Sequence, residues 1–84
     1  MESKEIKAKV KSYILDEFLP GESPDALTDD TELITSRILD SLATLKLVSH
    51  LEKTFRITIE PHEADVEYLN TIDQIEALVS RKKK

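Results

Sequence analysis

Apolar residues recur at helical spacing in two long stretches of this chain and in a shorter closing one. Ile6, Val10, Ile14 and Phe18 fall four residues apart, with Tyr13 beside them and lysines on the other face. This pattern predicts a helix over 4–18 that faces a core and is N-capped by Ser3. Pro20-Gly21 stops it. Over 41–55, at about 100° per residue, Leu47, Val48, Leu51 and Phe55 form one stripe, the expected core face. Leu42 falls opposite, among Lys46, Ser49 and Lys53, and Leu45 lies between the two faces. Ile57-Thr58-Ile59 alternates like a strand, but no partner strand is evident, so it reads as an extended linker. Pro61 suits a first helical position and opens a short helix over 61–67, offering Ala64, Val66 and Leu69 for burial. Thr71-Ile72-Asp73-Gln74 matches a capping box for a last helix over 71–81, with Ile72, Ile75, Leu78 and Val79 as its core stripe. Arg81, Lys82, Lys83 and Lys84 then read as a frayed, solvated end.

Between the first two helices, residues 20–40 hold prolines, Gly21 and clustered Asp and Ser, which suppress regular structure. A loop this long in a small domain is often functional. Leu27, Leu33 and either Ile38 or Leu39 are the expected points where it is pinned to the core. The residues thus predict an all-α chain of four helices, with a short third helix and a long loop between helices one and two. At 84 residues the chain reads as a single domain, 1–84, and one core of this size typically supplies ~3–5 kcal/mol of net stability.

Charge sharpens the picture. The net charge is −5, and it is concentrated: residues 20–42 alone sum to −5, whereas 1–19 sum to 0, 43–70 to −2 and 71–84 to +2. The most acidic stretch therefore leads into Ser41. This argues against nucleic acid and for partners with basic surfaces. There are no cysteines, so neither a disulfide nor a thiolate metal site is available. No segment is long and apolar enough for a membrane span, and charged residues follow Met1, which reads as a cytoplasmic protein, expected to be a monomer. Asp25, Asp29, Asp30 and Glu32 lack the alternating ligands, central glycine and terminal glutamate of an EF-hand, so the acidic loop is read as solvated, with no metal site. Ser41 has no nucleophile elbow around it. His50 and His62, the only histidines, read as surface residues. No catalytic constellation is evident, and the chain reads as a protein acted on by enzymes.

The most informative stretch is Leu39-Asp40-Ser41-Leu42. Asp40 suits an N-cap, because its carboxylate can accept from the unpaired N–H groups of the first turn. Ser41 is then the first helical residue, at the positive end of the helix dipole, where an attached phosphate is favoured. Leu42 is an apolar side chain stranded on a polar face beside it.

Together with Leu51-Glu52-Lys53-Thr54-Phe55, Ile57-Thr58-Ile59, Glu63-Ala64-Asp65 and Thr71-Ile72, this stretch resembles the acyl carrier protein family and its relatives, the peptidyl and aminoacyl carrier proteins. The resemblance implies a small four-helix bundle with a short third helix, in which Ser41 carries a covalent 4′-phosphopantetheine arm donated by coenzyme A through a phosphopantetheinyl transferase. The arm's thiol would hold an acyl group as a thioester and deliver it in fatty-acid, lipid or specialised acyl biosynthesis. An aminoacyl or peptidyl carrier, loaded by an amino-acid-activating ligase, is the alternative. Docking would use Asp40, Leu42, Leu45 and Glu52. Fatty-acid-synthesis carriers usually show Gly shortly before Asp-Ser-Leu and acids along the second helix. This chain has Ser36-Arg37-Ile38-Leu39, then Ala43, Lys46 and Lys53, keeping Glu52. It looks more like a dedicated stand-alone carrier for a specialised acyl chain or an amino acid. Two rival readings are an unmodified helical adaptor and a small hydrolase using Ser41.

Overall fold

The computed structural model describes residues 2–23 and 27–83, except the side chains of Glu2 and Ser3. The elements run α1 (Glu2–Phe18), α2 (Ser41–Phe55), a 3-10 turn (Pro61–Glu63), α3 (Val66–Leu69) and α4 (Ile72–Lys82). No helix among the described residues is long and apolar enough to cross a membrane. The core is one cluster. Ile6, Val10 and Ile14 of α1, Leu47 and Leu51 of α2, Leu69 of α3, and Ile72, Ile75, Leu78 and Val79 of α4 are each at most 2% exposed. Burying each large aliphatic side chain contributes roughly 1.5–3 kcal/mol.

α1 begins at Glu2, ahead of the Ser3 expected to cap it. Its end is as expected, at Pro20-Gly21, with Gly21 at φ 89°.

The long loop is tied down at two places. Leu27, Leu33 and Leu39 are 2%, 0% and 1% exposed, whereas Ile38 is only half-buried. Asp29 bridges Lys11 at 2.7 Å and Lys7 at 3.1 Å, and Lys7 also reaches Asp73 at 2.8 Å. These lysines hold the Asp29 carboxyl below the ordinary carboxylate range, Lys11 more than Lys7. The acidic loop is therefore not wholly solvated. Asp25 lies outside the described residues. The second anchor is Asn70, 9% exposed. Its carbonyl accepts from the Leu33 N–H at 2.6 Å, and its side-chain Oδ1 accepts from the N–H groups of Ile34 (2.9 Å) and Thr35 (3.1 Å).

The expected third helix, 61–67, is broken in two. Ala64 has φ −87°, ψ 61°, and Asp65 is extended at φ −147°, ψ 170°. The Asp65 carboxylate accepts from the Val66 N–H at 2.7 Å, an instance of an aspartate competing with helical hydrogen bonding. The break leaves Val66 38% exposed rather than buried, while Leu69 is fully buried. α4 has the capping box. Thr71 accepts from the Gln74 N–H at 3.1 Å, and Gln74 Oε1 accepts from the N–H groups of Thr71 and Asn70 at 3.1 and 3.0 Å. Its C-terminal end is not frayed at Arg81 and Lys82. Both continue the helix, and they meet the buried Glu63 at 3.5 and 2.6 Å. Lys82, then the Glu60 N–H, hold the Glu63 carboxyl below its ordinary range. Lys84 lies outside the described residues.

Candidate functional site

Asp40 caps α2. Its backbone is extended, its Oδ1 accepts from the Ala43 N–H at 2.7 Å, and its carbonyl accepts from both the N–H and the hydroxyl of Thr44 at 2.8 Å. Four otherwise unpaired N–H groups open any helix. Taking up that of Ala43 fixes where α2 starts, so Ser41 is its first residue. Ser41 is exposed, and its hydroxyl is bonded to no described side chain.

Ser41 lines a groove of about 560 Å³ together with Ile34, Arg37, Leu39, Asp40, Thr44, Leu45, Ala64 and Asp65. One wall is the end of the long loop, one is the first two turns of α2, and the far wall is the break between the 3-10 turn and α3. Asn70 holds the loop against that far side of the fold. Neither histidine lines the groove, so Ser41 has no imidazole beside it to take its proton.

Two of the expected docking residues stand next to Ser41. Leu42 is 63% and Leu45 60% exposed, and at a spacing of three they share a helix face. Among the described residues Val66 is the remaining large exposed apolar one, and it directly follows Ala64-Asp65 of the groove. Glu52 stands apart, about 16 Å along the helix from Ser41 at 1.5 Å per residue. One of its oxygens accepts from the Ile59 N–H at 2.9 Å, which fastens the extended Ile57–Ile59 segment to α2. Ile57 and Ile59 are buried there, with Thr58 exposed between them.

The phase of α2 differs slightly from the expected stripe. Leu47, Leu51 and Phe55 are buried, but Val48 is only half-buried, and Ala43 and Thr44 take its place in the core at 9% and 8% exposure. Ala43, where the resemblance expects an acid, is therefore a packing position. His50 is not a free surface residue either: its ring stacks on Tyr13 at 3.7 Å between centroids and 9° between planes. His62 is exposed. Among the described residues no group of three or more His, Cys, Asp or Glu could hold a metal ion.

The sequence offered Ala64 for burial, where it is half-buried, and gave Arg37, Asp65 and Asn70 no part in the site. Arg37 had one available signal, as the only basic residue between 20 and 42. Asn70 had none, because its partners lie far away in the chain.

A family model described as "Phosphopantetheine attachment site" matches residues 17–79, well over half of the chain. A curated relative, the D-alanyl carrier protein of Lactococcus lactis subsp. lactis (strain IL1403), is 41% identical over 54 residues, covering 64% of this chain and 68% of that protein.

Proposed function

This chain belongs to the phosphopantetheine-attachment family of carrier proteins, whose prosthetic group is a covalently bound 4′-phosphopantetheine, and we propose that Ser41 is its attachment point. The observation that carries this is the placement of Ser41. It is an exposed hydroxyl at the start of a capped helix, lining the groove and within the matched residues 17–79. The fit is physical: a phosphodiester at this position sits at the positive end of the α2 dipole. When bound, the group supplies a thiol, which this chain lacks, to hold cargo as a thioester.

The cargo we propose is an aminoacyl group, loaded by an ATP-using ligase. The relative named for D-alanine supports this. So does the first turn of α2, which carries no acid where the fatty-acid carriers are acidic. A fatty or other acyl cargo is the competing reading. The protein would work in the cytoplasm, where coenzyme A and ATP are at hand. Asp40, Leu42 and Leu45 form the docking face, an apolar pair beside an acidic cap. This suits a partner presenting an apolar pocket with basic groups at its rim. Glu52 sits beyond that face and holds the 57–59 segment.

Intact mass after incubation with coenzyme A, Mg²⁺ and a phosphopantetheinyl transferase tests the first part. One phosphopantetheinyl increment should appear, and Ser41→Ala should abolish it; modification persisting in that variant would place the site elsewhere. For the cargo, the modified protein is offered D-alanine or fatty acids with the matching ligases and ATP. A gain of mass with fatty acids alone would overturn the aminoacyl reading.

A further inference from the structure

The groove at Ser41 carries three charged side chains, Arg37, Asp40 and Asp65, and Arg37 is its one cation. It is also the one basic residue in the stretch 20–42, which nets −5. Arg37 is exposed and takes part in no ion pair with a described residue. Its backbone lies in the left-handed region at φ 69°, which side chains other than glycine seldom adopt. The turn around it imposes that conformation. The Arg37 N–H donates to the Ile34 carbonyl at 3.0 Å, and the Leu39 N–H to the Leu33 carbonyl at 2.9 Å. The Ile34 and Thr35 N–H groups donate to Asn70 at 2.9 and 3.1 Å. The guanidinium is thus presented from a backbone tied to the body of the fold. Backbone outliers held by their surroundings concentrate at functional positions.

We infer that Arg37 is a positioning residue for the prosthetic arm: its guanidinium binds the phosphodiester formed at Ser41. This rests on the attachment at Ser41 proposed above. A phosphodiester there is a further anion beside Asp40 and Asp65, and Arg37 is the available countercharge. The planar guanidinium is always charged and its paired N–H groups match two phosphate oxygens. An exposed contact of this kind is weak between separate molecules. Here the anion is tethered four residues from the arginine and to the same groove, so its effective concentration is high and a weak contact is populated. The contact sets the direction in which the arm leaves the helix.

The test compares the apo and modified proteins by NMR at the arginine Nε–H signals, with intact mass recorded first. On modification, the Arg37 Nε–H signal should shift while those of Arg56 and Arg81 stay in place. The modified protein should melt higher than the apo protein, and this rise should be lost in Arg37→Gln and partly kept in Arg37→Lys. Arg37 is exposed, so neither variant threatens the fold. No increment in the wild-type mass would sink the Ser41 reading and this inference with it. A normal increment with an unmoved Arg37 signal, and a melting-temperature rise unchanged in Arg37→Gln, would overturn this inference alone. A shift of the same size on adding one equivalent of inorganic phosphate to the apo protein would also overturn it, since the site would then be a general anion site with no preference for the tethered diester.

Discussion

At the C-terminal end of α2, Leu51 and Phe55 are 0% and 8% exposed, and at its N-terminal end Leu42 and Leu45 are 63% and 60% exposed. The residue types are nearly the same and the helix is continuous. What differs is the face: at about 100° per residue Leu42 falls opposite Leu51 and Leu45 lies between the two faces, while Ala43, Thr44 and Leu47 of the same N-terminal half are buried. Glu52 accepts from the Ile59 N–H, which fastens the buried Ile57 and Ile59 to the C-terminal half, while Ser49 and Lys53 on its outer face are exposed. In the N-terminal half the outer face carries Leu42, and Leu45 borders the groove. Apolar character alone does not say which side chains of a helix belong to the core. Among the described residues no element covers Leu42 and Leu45.

The sharpest way to break this comparison is to truncate one leucine at each end. Leu51→Ala should destabilise the fold by about 2–5 kcal/mol, the range for a cavity in a packed core. Leu42→Ala should leave stability within about 0.5 kcal/mol yet slow loading by the transferase. Denaturation midpoints and initial loading rates decide it; a large loss of stability in Leu42→Ala with normal loading of the folded fraction would make Leu42 a core residue.

The caps at the two ends offer the next test. Asp40→Ala should cost roughly 0.5–2 kcal/mol through the lost N-cap. Asp40→Asn should retain most of the cap but weaken the encounter with a basic partner, most visibly at low salt. Equal transferase kinetics for Asn and Asp at every salt concentration would remove the steering role. At the other end, Arg56 closes α2 in the left-handed region at φ 56°, ψ 51°, with its N–H donating to the Glu52 carbonyl. Glycine adopts this conformation without the steric penalty, so Arg56→Gly should stabilise by about 1 kcal/mol without altering loading. A lower melting temperature in that variant would show that the arginine side chain outweighs its backbone strain.

The smallest effect lies midway along the helix. Burial pushes the His50 imidazole below its ordinary value, with Glu17 opposing and Lys53 adding to the fall. A base depressed in the folded state takes up its proton less readily there than in the unfolded chain. The resulting loss of stability sets in as pH falls below 6.5 and levels off below the folded value. His50→Phe keeps a ring against Tyr13 and should flatten this limb when denaturation midpoints are compared over about pH 5–8. An identical slope in the variant would assign the limb to other groups.

Local chemistry was legible along the chain. The four-residue spacing of Ile6, Val10 and Ile14, the stop at Pro20-Gly21, the Asp40 cap and the Thr71–Gln74 capping box each act within one or two turns. Spacing and residue type therefore suffice to read them. The same holds for the position of Ser41 at the start of α2. Tertiary structure decided what depends on distant neighbours. Ala43 and Thr44 displace Val48 from the core because of what faces α2. Asp65 divides the expected third helix and exposes Val66. Glu63 draws Arg81 and Lys82 onto the fold from what reads as a solvated end. Asn70 clasps the loop from 35 and 36 residues away, which sets Arg37 and the Ala64–Asp65 wall around one groove. Helical periodicity reports the direction of a side chain about its own axis. Burial, ion pairing and the closing of a groove depend on which other segment arrives there, and in a chain of short helices joined by a long loop only the packed core settles that.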